Sequence, residues 1–172
     1  MELRVLHRVI YGSTTPHKSQ LEALRINSAI LQRYSRHRVV GCDYPAIVAS
    51  SEPSACVRGT YVEGLTAADI WRLDIFEGDE YERVKVSPRL LTADGQVGEE
   101  IIGETYVWIK PVDMLEEREW DFDEFRREKL RHWVGGSAEY EGEPVRPSIA
   151  GASSEGIERV DFLASADGSC RS

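Results

Sequence analysis

A chain of 172 residues is long enough to bury a single core, and 41% hydrophobic with 30% charged residues is the composition of an ordinary globular domain. The net charge of −9 and an isoelectric point near 5.0 argue against a nucleic-acid surface and against a substrate steered by a strong positive field. No apolar run approaches the ~18 residues of a membrane-spanning helix, and Met1 to Arg8 lacks the apolar core of a secretory signal.

Leu3, Leu6, Val9 and Ile10 recur at helical spacing around Arg4, His7 and Arg8, which predicts a short amphipathic helix ended by Gly12. Leu21, Leu24, Ile26 and Ile30 predict a second helix over Ser19 to Leu31. The period then changes. Arg38-Val39-Val40, Ala46 to Ala49 and Cys56 to Val62 read as short strands separated by Gly, Pro and Ser.

Thr66 to Glu77 reads as a helix, with Thr66 as N-cap and Asp69 completing a capping box. At about 100° per residue, Ile70, Leu73 and Glu77 fall on one face. Glu77 therefore stands in line with two core-facing aliphatics at the helix end, just before Gly78. Burial there would raise its pKa and make it a usable base near neutral pH. Spacing alone favours the other reading, in which Glu77 points past the helix end and pairs with Arg83 or water.

Glu82 to Val86 is a predicted strand that continues through Leu90 and Leu91 to an Asp94-Gly95 hairpin signal. Glu104 to Ile109 is its expected return strand, with Tyr106 and Trp108 on one face. Asp121 to Trp133 reads as a last helix, its apolar side carrying Phe122, Phe125, Leu130 and Trp133. The expected organisation is one domain over 1–134 and a mostly disordered acidic tail over 135–172, with a weak apolar echo at Val160 to Leu163.

The four histidines, His7, His17, His37 and His132, are scattered, so no metal site and no cofactor are expected. No phosphate-cradling loop or hydrolase elbow is present. Cys42, Cys56 and Cys170 show no paired spacing, and their odd number suits free thiols in a reducing, cytoplasmic setting.

Several tracts together resemble the γ-glutamylcyclotransferase-like family, in the branch related to the plant avirulence-induced-gene proteins. They are His37-Arg38-Val39 with Tyr44 to Val48, Val57 to Val62 with Gly64-Leu65-Thr66, Leu73 to Arg83 (LDIFEGDEYER), Thr105 to Trp108, and Trp120 to Phe125 (WDFDEF). The resemblance implies an α+β fold, a small mixed β-barrel with helices packed around it. It also implies an activity: cyclisation of a γ-glutamyl group to 5-oxoproline with release of the attached amine. By this likeness Glu77 is the catalytic acid/base, the partner is a small γ-glutamyl substrate, and neither nucleic acid nor membrane is engaged. Tyr81 and Arg83 then either line the pocket and orient Glu77 or pack the barrel rim as strand residues.

Relatives begin with a buried strand leading into a Tyr-Gly-Thr-Leu substrate loop. Tyr11, Gly12 and Ser13 could occupy that loop in one register. The helical period of Met1 to Ile10 supports another, in which this segment is the helix after the loop and the strand and loop are missing. An alternative function follows: a catalytically silent domain that binds a small ligand or a protein.

Overall fold

The computed structural model describes residues 3–120 and the backbone of 159–163. Helix α1, Leu3–Tyr11, buries Val5, Leu6 and Ile10 as its apolar stripe, with His7 at the margin. The predicted second helix is confined to one short turn, α2, Lys18–Glu22. The rest of that segment is strand β1, Arg25–Gln32. The spacing misleads because Leu21 and Ile26 lie largely exposed, whereas the true buried alternation is Ala29 and Leu31. Tertiary pairing overrides the helical pattern: β1 runs antiparallel to β4, Cys56–Leu65, over its whole length, from Arg25 opposite Glu63 to Gln32 opposite Cys56.

Strands β2, Tyr34–Val39, and β3, Pro45–Ala49, lie where the sequence indicates. Helix α3, Ala67–Glu77, keeps its capping box: the Thr66 hydroxyl accepts from the Asp69 amide, and the Asp69 carboxylate accepts from the Thr66 amide at 3.0 Å. Strands β5, Tyr81–Val86, β6, Arg89–Leu91, β7, Val97–Glu100, and β8, Gly103–Trp108, follow. The Asp94-Gly95 turn makes its hairpin between β6 and β7, and β8 returns onto β5, the pairing expected of Glu82 to Val86 with Glu104 to Ile109. Strand β9, Leu115–Glu119, pairs with β2.

Strand β10, Arg159–Leu163, falls within the segment expected as a tail, at the weak apolar echo of Val160 to Leu163. It lies antiparallel to β4 and parallel to β8, inside the main sheet. That sheet has the order β5-β8-β10-β4-β1-β6-β7, and a second sheet has the order β3-β2-β9. The expected α+β fold is what the chain adopts, with its strands shared between two mostly antiparallel sheets. The predicted Asp121 to Trp133 helix and the remainder of 135–172 lie outside the described residues.

One core cluster joins Leu6 and Ile10 of α1, Ile70 and Leu73 of α3, Val62 and Leu65 of β4 and Tyr106 of β8. A second lies between β1, β4, β3 and β5, and a third gathers Val39, Ala46, Trp108 and Leu115 between the two sheets. Gly64 marks a close approach. A side chain there would strike the carbonyl of Ala23, and its φ of 91° suits glycine alone. Cysteine usage also differs from expectation. Cys42 is a free thiol, but Cys56 is disulfide-bonded, so the odd count is no guide to a reducing compartment.

Candidate functional site

Ile70 and Leu73 are buried to 2% and 0% exposure, so the face that the helical period assigns to them is the inner face of α3. Glu77 continues that face at the last helical position and is half-buried. Loss of water around its carboxyl pushes the pKa up from 4.5 to about 7. The helix stops there because Gly78 takes φ 71° and ψ −159°, a backbone conformation favoured by glycine. A single 3₁₀ turn, Gly78–Glu80, then delivers the chain into β5.

Tyr81, the first residue of β5, packs against both the helix-layer core and the core between the sheets. Its ring meets Trp108 edge-on at 5.4 Å, and its hydroxyl donates to the Pro45 carbonyl at 3.2 Å. Its phenol is held neutral well above its ordinary range, first by burial and then by the nearby Glu77 charge. Glu77 and Tyr81 are therefore brought together. Tyr44 joins them: its hydroxyl donates to Glu80 Oε2 at 3.4 Å, and its pKa is raised by hydrogen bonding with the Cys42 side chain and by burial.

Arg83 is drawn into ion pairs. Its Nη1 donates to Glu104 Oε2 at 2.7 Å, and its Nε lies 3.2 Å from Asp74 Oδ1. The second contact is a charge contact rather than an aligned hydrogen bond. Tyr106 donates to the same Asp74 oxygen at 2.7 Å. The alternative in which Glu77 itself pairs with Arg83 thus gives way to Asp74, which lies within the LDIFEGDEYER tract but was not singled out. The missed signal was Asp74 three residues before Glu77 on α3, together with a strand register that sets Arg83 opposite Tyr106.

Tyr11, Gly12 and Ser13 form the end of a helix rather than a loop following a strand. The Gly12 amide donates to the Arg8 carbonyl at 2.9 Å, and the Tyr11 hydroxyl donates to the Gln20 carbonyl at 3.0 Å. Ser13 Oγ accepts from the Thr15 amide at 3.1 Å. Leu3–Tyr11 is helical, as the spacing of its apolar residues predicts. Among the described residues, no three His, Cys, Asp or Glu side chains are grouped so as to hold a metal ion.

A half-buried carboxyl with a pKa near neutrality, with the neutral phenol of Tyr81 near it, can accept a proton and return it within one catalytic cycle. Comparison with known proteins bears on which cycle that is. The profile of the family described as gamma-glutamyl cyclotransferase, AIG2-like, matches residues 9–126. Protein AIG2 C of Arabidopsis thaliana is 38% identical over 98 residues, covering 57% of this chain and 56% of its own length. AIG2-like protein A of Arabidopsis thaliana is 37% identical over 102 residues, covering 59% of this chain and 58% of its own length. AIG2-like protein B, also from Arabidopsis thaliana, is 35% identical over 134 residues, covering 75% and 74%. The chain thus spans a little under three fifths of the length of the first two relatives. A solution structure of an Arabidopsis thaliana protein superposes with a TM-score of 0.53 at 29% identity, over 78% of this chain and 72% of that one.

Proposed function

The chain belongs to the gamma-glutamyl cyclotransferase, AIG2-like family, and from that premise we propose that it cyclises a γ-glutamyl group to 5-oxoproline, releasing the attached amine, with Glu77 as general acid/base. The observation that carries this reading is the Glu77 carboxyl, half-buried at the end of α3 with a pKa of about 7.

The chemistry asks little more of the protein. The substrate's α-amine and γ-carbonyl belong to one molecule, so the attack is intramolecular and proximity is already supplied. Ionised Glu77 takes a proton as the α-nitrogen forms its bond to the γ-carbon. The resulting tetrahedral carbon collapses, the bond to the leaving nitrogen breaks, and Glu77 returns a proton to that nitrogen. One carboxyl serves both steps because its pKa lies close to working pH. Tyr81 stays protonated beside it, so the only charge the pair carries at neutrality is that of Glu77.

The test is 5-oxoproline release by the purified chain from a panel of γ-glutamyl compounds. The panel carries an α-amino acid, the ε-amine of lysine, a polyamine or cysteinylglycine as leaving group. Release is expected from at least one member, and Glu77→Gln is expected to lower kcat by about 10²–10⁴-fold. A folded wild-type chain that releases nothing overturns the proposal and favours a domain that binds such compounds without turning them over.

A further inference from the structure

We infer that Asp74, Arg83 and Tyr106 form a clamp that sets where the Glu77 carboxyl stands, and that Arg83 is a positioning residue rather than a substrate-binding one. The inference rests on the reading of Glu77 given above. Asp74 is held from two directions by its side chain and from a third by its backbone. Its Oδ1 accepts from the Tyr106 hydroxyl at 2.7 Å and faces Arg83 Nε at 3.2 Å, while its carbonyl accepts from the Gly78 amide. The Gly78 bond closes the turn that carries Glu77, so both the start and the end of that turn are referred to Asp74.

Tyr106 is on β8 and Arg83 on β5, directly opposite each other in the antiparallel register. Glu104 lies two residues from Tyr106 along β8, on the same face and within reach of Arg83. The last turn of α3 is therefore pinned to the β5–β8 pair by polar contacts, while Leu73 pins it to the core. At partly exposed positions such contacts add little stability, about 1 kcal/mol or less each. Their value lies in direction, since a reacting group displaced by about 1 Å can lose about 10²-fold in rate.

The rival role for Arg83 is to bind the carboxylate of the substrate. Its charge already faces two carboxylates, Asp74 and Glu104, and an incoming anion would have to displace one of them.

The experiment compares Arg83→Met, Arg83→Lys, Asp74→Asn and the Asp74→Asn/Arg83→Met double variant. A clamp is expected to show as a kcat loss of about tenfold or more in Arg83→Met, with KM within about twofold. Arg83→Lys should recover part of that loss, and the double variant should be no slower than the slower single one. A raised KM with unchanged kcat would make Arg83 a substrate ligand and overturn the inference. So would losses that multiply in the double variant, or a kcat per folded molecule that does not change. A second readout needs no turnover: the titration midpoint of Glu77, followed by the ¹³C shift of its carboxyl. A clamp that sets its surroundings moves the midpoint by about half a pH unit or more in Arg83→Met, and an unmoved midpoint counts against it. If wild-type protein releases no 5-oxoproline at all, the proposed activity fails and the titration still decides the clamp.

Discussion

At the scale of single residues, the raised pKa of Glu77 makes stability depend on pH. The folded chain holds this proton more tightly than the unfolded chain does, 4.5 having risen to about 7. The stabilisation is therefore complete below about pH 4.5 and is lost as pH rises through about 7. At about 1.4 kcal/mol per pH unit, and allowing for the solvent Glu77 still meets, the loss is on the order of 2–3 kcal/mol. Glu77→Gln abolishes that dependence. Urea denaturation at pH 5 and pH 8 is expected to show the variant gaining on wild type at the higher pH, and an unchanged difference would refute a carboxyl desolvated by folding. In the forward reaction the base must be ionised, so wild-type kcat/KM should climb with pH through about 7 before other groups limit it.

At the scale of elements, α3 was the most legible part of the chain, because its cap, its inner face and its stop are all local. Thr66→Ala removes the hydroxyl that accepts from Asp69 and leaves the nearly buried Asp69 carboxylate without one of its donors. The expected cost is about 1 kcal/mol, read as a fall of several degrees in Tm. Glu77 was legible for the same reason, as the end of a run of residues on one face. Strand β1 was not. Ala29 is too small to advertise burial, and Leu21 and Ile26 lent the segment a helical spacing that the folded chain does not use. The pairing of β8 with β5 was legible, but β7, the partner across the Asp94-Gly95 turn, was not, because it carries only Val97 as an apolar residue. The clamp around Asp74 was invisible because it exists only once the end of α3 is packed against the β5–β8 pair.

At the scale of the whole molecule, β10 is the feature that local sequence could not reveal. Five residues in a polar stretch carry little periodicity, and their conformation is dictated by strand edges far away in the chain. Without β10, the sheet order leaves β5-β8 on one side and β4-β1-β6-β7 on the other. Asp161 sits at the middle of β10, paired with Val62 of β4 and Glu104 of β8. Asp161→Pro removes an amide donor from a strand with neighbours on both sides, where proline is not accommodated. The expected outcome is a loss of roughly 3 kcal/mol or more and faster amide hydrogen exchange along β4 and β8. Exchange in those strands that stays at the wild-type rate would show that the sheet does not depend on β10.

The same strand sets a timetable for synthesis. A chain leaves the ribosome from its N-terminus, so β4 and β8 emerge well before Arg159–Leu163 exists to lie between them. Until then each presents an open hydrogen-bonding edge, the feature of nascent chains most prone to wrong pairing. Glu104 belongs to one of those edges: β8 offers it to Arg83 on one side and pairs it with Asp161 on the other. The carboxylate network behind Glu77 thus reaches its final surroundings only after Arg159–Leu163 has been synthesised.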